Sequence, residues 1–162
     1  MFVRTACAQD LPAVRALLVE TWHETYDAIY GAEKVTRITD EWHSLAALKA
    51  RIERIDSEFL LADDGEQIAG MAFASGTDGG STIQLRQLYV RPARQGRGVG
   101  GLLLDEVLSS FPEARKIRLE VEEANTNAVA FYVAHGFSRV GVTPHCGKPD
   151  SDIPAAIYER AL

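Results

Sequence analysis

The sequence predicts an α+β domain in which a mixed, mostly antiparallel central sheet of about seven strands is flanked by about four helices. Three observations lead to this fold class. Segments with strand-like alternation are interspersed with segments in which apolar residues recur at helical spacing. The turn Asp64-Gly65 joins two strand segments, which is typical of an antiparallel hairpin. The chain has 162 residues, enough for one domain, residues 1–162, to bury a core without disulfide or metal support.

The first third of the chain predicts one strand and two helices. Residues 2–6 are typical of a short strand. The next segment has apolar residues at helical spacing, with Asp10 as the candidate N-cap and Pro12 in the first turn. Gly31 predicts a break, and a second helix is expected at residues 40–54.

The rest of the chain predicts six strands and two helices. The strands are expected at residues 58–63, 67–76, 82–90, 116–122, 138–142 and 155–161. One helix covers residues 102–111 and ends at Pro112. The other begins at Asn125 or Thr126, whose side chains suit an N-cap, and ends at Gly136.

Composition argues against several classes of protein. The net charge of -6 and the isoelectric point of about 5.2 are not those of a nucleic-acid-binding protein, although they are compatible with a cationic substrate. The longest apolar run, residues 68–74, is far shorter than a bilayer span. The start of the chain lacks the apolar core of a signal peptide, and Cys7 and Cys146 are lone thiols. We therefore expect a cytoplasmic protein without a metal site.

The most informative segment is the glycine-rich loop at residues 95–101, Gln-Gly-Arg-Gly-Val-Gly-Gly, which follows a strand and opens a helix. Backbone N–H groups at a helix start lack acceptors and lie at the positive end of the helix dipole. Small residues let a phosphate approach those amides closely. Four arginines add positive charge to the region: Arg86, Arg91, Arg94 and Arg97. The loop therefore predicts a pyrophosphate-binding site.

One general phosphate motif also matches this loop. Gly96-x-Gly98-x-x-Gly101 satisfies the dinucleotide fingerprint, and Glu120 follows about 20 residues later. However, residues 91–95 separate the strand from the first glycine, and the preceding strands have the pattern of antiparallel hairpins. A dinucleotide-binding oxidoreductase is therefore a lesser alternative. A P-loop is excluded because no Gly-Lys-Ser/Thr follows.

Two segments, in a fixed order and separation, carry a more specific resemblance. The first is Leu88-Tyr89-Val90-Arg91-Pro92 followed by Gln95-x-x-Gly98-x-Gly100, and the second is Asn125-x-x-Ala128-x-x-Phe131-Tyr132 followed by His135-Gly136-Phe137. On these motifs the sequence resembles the GNAT superfamily of acetyl-CoA-dependent N-acetyltransferases. The order of elements agrees from residue 2 to about residue 161, so the resemblance covers nearly the whole chain.

The resemblance implies acetyl-CoA as co-substrate and no metal. In similar proteins, loop amides bind the pyrophosphate and the preceding strand pairs with the pantetheine arm. An Asn at the start of the later helix contacts that arm or caps the helix. The matching positions are Leu88, Tyr89, Val90, Gln95, Gly96, Arg97, Gly98, Val99, Gly100 and Asn125.

Acetylation of an amine requires a base and an acid. A primary amine has a pKa near 10.4 and must lose a proton before it attacks the thioester, and the leaving thiolate must gain one. The resemblance implies Tyr132 as the acid. Many similar proteins carry the base at the position of Gln84, which cannot accept a proton. Glu120, placed as in ribosomal-protein alanine acetyltransferases, is the candidate base. A core aromatic role for Tyr132 and a solvated face for Glu120 are the structural alternatives.

The acceptor is expected near the first helices. Trp22, Tyr26 and Tyr30 suit an organic cation by cation–π contacts, although their helical spacing also fits core residues. The stretch WHETY at residues 22–26 and a late loop with His145 and Gly147 loosely resemble bacterial spermidine/spermine acetyltransferases.

We therefore expect direct acetyl transfer, in a ternary complex, to a small primary amine, a polyamine or a peptide α-amine, with no nucleic-acid or membrane partner. A non-catalytic acyl-CoA-binding sensor module is the alternative, and a homodimer is left open.

Overall fold

The computed structural model describes residues 1–147, 151 and 153–162. Pro149, which lies between the predicted strands at residues 138–142 and 155–161, is outside these residues. The described residues form five α-helices: α1 (Leu11–Tyr30), α2 (Ala32–Trp42), α3 (Leu45–Glu53), α4 (Val99–Ser110) and α5 (Thr126–Ala134). Their seven strands are β1 (Phe2–Thr5), β2 (Ser57–Asp63), β3 (Ile68–Thr77), β4 (Thr82–Val90), β5 (Lys116–Val121), β6 (Ser138–Thr143) and β7 (Ala155–Ala161). Across this part of the chain, no helix has both the length and the apolar character that a membrane crossing requires.

The strands form a mixed sheet in the order β1-β2-β3-β4-β5-β7-β6. β1 is antiparallel to β2, and β7 is antiparallel to both β5 and β6. β4 and β5 run parallel, with Cα partners from Thr82 and Lys116 to Leu85 and Leu119. The predicted fold class is confirmed. A dinucleotide-binding fold requires a mostly parallel sheet, so the topology argues against the oxidoreductase alternative.

The chain divides into two compact units. Unit 1 comprises Met1–Ala74 and Gln87–Ser110, and unit 2 comprises Ser75–Arg86 and Phe111–Leu162. In unit 1, apolar residues of α1 and α3 pack with those of β2 and β3 in a core that includes Leu17, Leu18, Leu48, Leu61, Met71 and Phe73. In unit 2, alternate residues of β5 are buried, namely Ile117, Leu119 and Val121. This alternation leaves the face that carries Glu120 partly exposed.

The prediction of one helix at residues 40–54 is wrong. In the structure α3 (Leu45–Glu53) occupies most of this span, and a separate helix, α2 (Ala32–Trp42), begins well before it and is separated from α3 by His43 and Ser44. His43 is buried, and the Ser44 hydroxyl accepts a hydrogen bond from Ala47 N (3.1 Å) and so caps α3. Because apolar residues recur at helical spacing on both sides of the break, periodicity alone did not reveal it. The described residues therefore contain five helices where about four were expected.

Asp10 occupies the N-cap position of α1 and Pro12 lies in the first turn, both as predicted, but the Asp10 side chain makes no capping hydrogen bond to α1. A short 3-10 helix, Ala8–Asp10, leads directly into α1, and Asp10 already has helical backbone angles. Its carboxylate accepts a hydrogen bond from Cys7 N (2.9 Å) and forms an ion pair with Arg4 (2.8 Å). Asp10 therefore stabilises the start of the 3-10 helix and ties it to β1.

Candidate active site

The glycine-rich loop is open where it enters α4. The helix begins at Val99, three residues earlier than predicted. Gly96 and Gly98 have φ of +74° and +82°, and a Cβ on either would lie in open space. Between Gln95 and Leu102, no backbone N–H donates to a backbone carbonyl of a described residue. These free donors, at the positive end of the helix dipole, give the loop the capacity to bind an anion.

The arginines near the loop differ in whether they already pair with a residue of the protein. Three of them already have partners: Arg91 pairs with Glu20, Arg94 pairs with Asp64 (2.6 Å), and Arg86 Nε donates to Ser75 Oγ (2.8 Å). Arg97 is exposed and pairs with no carboxylate among the described residues. The positive charge that the sequence assigned to the loop is therefore carried mainly by Arg97 and by the helix dipole.

The end of β4 is fixed by contacts within unit 1. The side-chain amide of Gln95 donates to Val90 O (3.0 Å). A Cβ on Gly70 of β3 would lie 2.9 Å from Tyr89 O, so only glycine allows this close approach of the two backbones. Leu88, Tyr89 and Val90 are half-buried, and the register of β4 with β5 does not extend to them. The predicted pantetheine-binding segment is therefore held in an extended conformation next to the loop.

Glu120 lies on the half-exposed face of β5. Its Oε2 accepts a hydrogen bond from Gly147 N (2.7 Å), which ties the loop after β6 to β5. The other oxygen, Oε1, has no hydrogen bond to any residue that the structure describes. Glu120 therefore anchors a loop and still has an oxygen on which a proton can be accepted. Gln84, the position that carries the base in many similar proteins, is half-buried and lies opposite Arg118 of β5.

Helix α5 carries Tyr132, and Asn125 precedes its first turn. Tyr132 is buried, with its ring centroid 5.3 Å from that of Phe131 and 5.5 Å from that of Phe137. Asn125 Oδ1 accepts a hydrogen bond from Ala128 N (3.2 Å), so the predicted capping role of Asn125 is confirmed. Contact of Asn125 with pantetheine and proton donation by Tyr132 stay predictions.

Both cysteines are free. Burial, with the nearby charges of Glu120 and Glu122, raises the pKa of the Cys146 thiol to about 12. Cys146 therefore stays protonated at neutral pH and is a poor nucleophile. Among the residues that the structure describes, no three His, Cys, Asp or Glu side chains are grouped to hold a metal ion.

The aromatic side chains of α1 make internal contacts. Trp22 and Tyr26 are buried, and their ring centroids are 4.7 Å apart. Tyr30 is half-buried, and the Lys34 ammonium lies 4.9 Å from the centroid of its ring. The ring of Tyr30, which was expected to attract an organic cation, therefore already contacts the internal cation of Lys34. A substrate-binding role for Trp22, Tyr26 and Tyr30 stays a prediction.

A partly buried aromatic and polar cluster within unit 1 was not predicted from the sequence. It consists of Trp22, Trp42, His43, Arg51 and Tyr89. The ring centroids of Trp22 and His43 are 5.7 Å apart, and that of Tyr89 is 6.4 Å from each. Arg51 Nη2 donates to Trp42 O (2.6 Å) and to His43 Nδ1 (3.2 Å). No sequence pattern indicated this cluster, because the helix break that buries His43 was itself missed.

His43 makes the stability of the protein depend on pH. Burial, followed by the charges of Arg51 and Arg15, lowers the pKa of His43 from 6.5 to about 3. Between pH 6.5 and pH 3 the His43 side chain is protonated in the unfolded chain but stays neutral in the folded chain. The free energy of unfolding is therefore highest above pH 6.5 and falls as the pH drops towards 3. We expect urea unfolding at pH 7.5 and pH 5.0 to show a loss of about 2 kcal/mol that His43→Gln abolishes. Equal losses in the two proteins would contradict this assignment.

The fold and the loop together give this chain a group of free N–H donors beside the end of a strand, which could bind an anion. The model of the Acetyltransferase (GNAT) family matches residues 13–137. The chain belongs to the GNAT acetyltransferase family.

Two known proteins with similar sequences come from mycobacteria. N-alpha-acetyltransferase RimI of Mycobacterium tuberculosis is 33% identical over 105 residues, which cover 64% of this chain and 65% of that protein. An uncharacterised protein of Mycobacterium leprae is 43% identical over 61 residues, which cover 38% of this chain and 17% of that protein. The chain therefore spans less than two thirds of the length of both relatives.

Solved structures show the same fold over the whole chain. The PaiA N-acetyltransferase of Thermoplasma acidophilum, crystallised in complex with coenzyme A, superposes with a TM-score of 0.87 at 23% identity. The match covers 99% of this chain and 98% of that one. At this level of identity, the similarity establishes the fold.

Proposed function

We propose that this protein transfers the acetyl group of acetyl-CoA to a primary amine. The observation that carries the proposal is the loop at residues 95–100, whose unpaired N–H groups begin α4. It lies next to the extended segment of Leu88, Tyr89 and Val90 in a chain of the GNAT acetyltransferase family. The bound coenzyme A in the PaiA structure supports the same cofactor for this fold. The pyrophosphate then binds the loop N–H groups and Arg97, and the pantetheine arm lies along β4.

The chemistry follows from the protonation states that the reaction requires. Glu120 accepts a proton from the incoming ammonium group, directly or through a water molecule, and the free amine attacks the thioester carbonyl. The tetrahedral intermediate collapses, the C–S bond breaks, the nitrogen loses its second proton to water, and the thiolate of CoA takes a proton from Tyr132. A phenol has a pKa of about 10, which suits donation to a thiolate. Transfer is direct, within a ternary complex, and the high pKa of Cys146 argues against an acetyl-cysteine intermediate at that residue.

The experiment that tests the proposal is amine-dependent release of free CoA thiol from acetyl-CoA. The amine panel contains spermidine, an aminoglycoside, free amino acids and a peptide that begins with Ala. We expect at least one amine to stimulate thiol release and to appear in its N-acetylated form. Acetyl-CoA binding without product from any amine would instead favour a non-catalytic acyl-CoA-binding module, for which the replacement of the usual base by Gln84 is the specific argument.

The loop assignment predicts the effect of Gly98→Ala. A side chain at φ +82° is strained, and its Cβ would stand in the open space beside the loop N–H groups. We expect the KM for acetyl-CoA to rise about tenfold, because the pyrophosphate loses its close approach to those amides. Gly79→Ala is the matched control. It introduces the same kind of strain at φ +70°, also in open space, in the turn before β4. An equal rise in KM in both variants would show that strain, and not the loop, is responsible.

A further inference from the structure

A short 3-10 turn, Pro92–Arg94, connects β4 to the glycine-rich loop, and its first end is fixed by Arg91. The backbone N of Arg91 donates to Ala69 O (2.8 Å), and its Nε donates to Ile68 O (3.2 Å). The same guanidinium pairs with Glu20 of α1. Arg91 therefore determines where the chain leaves β4, beside the first residues of β3.

The other end of the 3-10 turn is fixed by one ion pair. Arg94 Nη2 lies 2.6 Å from Asp64 Oδ2, and the Asp64 side chain is only 12% exposed. Asp64 belongs to the turn between β2 and β3, far from Arg94 in the sequence. Gln95, the first residue of the glycine-rich loop, follows Arg94 directly. The ion pair therefore holds the chain at the point where the loop begins.

Asp64 is itself held firmly by its own turn. Its Oδ1 accepts hydrogen bonds from Glu66 N and Gln67 N, both at 2.9 Å, and its backbone N donates to Gln67 O (3.2 Å). The hydrogen bonds from Gln67 and Glu66 to the carboxylate, with the nearby charge of Arg94, keep the pKa of Asp64 below its usual value. One oxygen of an ionised carboxylate is thus used by the turn, and the other is presented to Arg94.

The ion pair also limits what Arg94 can contribute to a cofactor. Its positive charge is already compensated by Asp64, so the pair as a whole adds little net charge to the loop. Arg97, in contrast, is exposed and pairs with no carboxylate in the described part of the chain. The contact between Arg94 and Asp64 is therefore better suited to orienting the loop than to attracting a phosphate.

We propose that Asp64 is a positioning residue of the acetyl-CoA site, which acts through Arg94 to hold the glycine-rich loop in the orientation that binds the pyrophosphate. This inference rests on the proposed function, because it names a residue that supports the same site. Asp64 contacts neither acetyl-CoA nor the amine in this arrangement. A change in the turn between β2 and β3 is thereby transmitted to the affinity for the cofactor.

The test is the binding of CoA to Asp64→Asn, measured by calorimetry. Asparagine keeps Oδ1 as the acceptor for Glu66 N and Gln67 N and removes the charge that holds Arg94. We expect CoA to bind about tenfold more weakly, and kcat at saturating acetyl-CoA to stay within about twofold. If Arg94 instead bound the pyrophosphate directly, the substitution would release it from Asp64 and CoA would bind more tightly. Tighter or unchanged binding would overturn the proposal.

Asp63→Asn is the matched control, because Asp63 is the preceding residue and also combines a turn contact with an ion pair. Its Oδ1 accepts a hydrogen bond from Gly65 N (2.8 Å), and its Oδ2 pairs with Arg4 of β1 (3.0 Å). We expect Asp63→Asn to lower the thermal stability about as much as Asp64→Asn and to leave CoA binding within about twofold. Equal weakening of CoA binding in both variants would assign the effect to general destabilisation.

A double variant tests whether Asp64 acts through Arg94. Arg94→Met should weaken CoA binding about as much as Asp64→Asn, and the two changes combined should weaken it no further. Additive effects would contradict a shared path. If CoA binds equally well to the unmodified protein and to Asp64→Asn, the positioning role fails and the proposed function stands. If the unmodified protein binds no CoA, the proposed function fails and this inference fails with it.

Discussion

Tyr132→Phe is expected to lower kcat by about 100-fold or more and to leave the KM for acetyl-CoA within about threefold. The variant removes only the hydroxyl that we assign as the proton donor to the CoA thiolate. The phenyl ring keeps the packing with Phe131 and Phe137, whose centroids lie 5.3 Å and 5.5 Å away. Steady-state kinetics at saturating amine provides the measurement.

Tyr158→Phe is the matched control for this experiment. Tyr158 is also a buried tyrosine of unit 2, on β7, and is 7% exposed, as Tyr132 is. We expect its kcat to stay within about twofold of the original value. If Tyr132→Phe behaved in the same way as Tyr158→Phe, the buried ring of Tyr132 would have a packing role only, and the proton for the thiolate would come from water or another residue.

Glu120→Gln is expected to lower kcat/KM for the amine by about 100-fold at neutral pH, because the amide cannot accept the proton of the ammonium group. The substitution preserves the shape of the side chain and its capacity to accept the hydrogen bond from Gly147 N (2.7 Å), so the loop after β6 stays in place. The pH profile of kcat/KM should also lose the ionisation of the base. The measurement is the rate of thiol release across the pH range.

Glu122→Gln controls for the loss of a negative charge near the end of β5. Glu122 and Glu120 both act electrostatically on Cys146, so the two variants change the local field in the same direction. We expect Glu122→Gln to keep the pH profile and to lose little activity. Equal losses in the two variants would assign the effect to the field and would remove Glu120 as the base.

Much of the fold could be predicted because local pattern and tertiary structure agree. The strand at residues 82–90 and the strand at residues 155–161 have the bounds that their patterns indicated. The first turn of α4 was missed because it consists of the same small residues that form the loop. The break between α2 and α3 was missed because an apolar pattern cannot show that His43 is buried among polar groups.

Some features of the candidate site could also be predicted from the sequence, and others could not. The glycine-rich loop could be predicted, because backbone donors at a helix start depend on local sequence alone. The pairing of Arg91 with Glu20 and of Arg94 with Asp64 could not, because it depends on which distant elements meet. For the same reason, the hydrogen bond between Glu120 and Gly147 and the contacts of Trp22 and Arg51 with His43 became visible only in the structure.

The central claim is direct transfer of an acetyl group from acetyl-CoA to an amine. It is tested most directly by initial rates measured at several concentrations of both substrates, with the CoA thiol and the N-acetyl product quantified in the same samples. We predict equal amounts of the two products, no thiol release without amine, and intersecting reciprocal plots, as a ternary complex requires. Parallel plots, or acetyl groups retained on the protein, would contradict direct transfer. Saturable acetyl-CoA binding without any acetylated amine would contradict the activity itself.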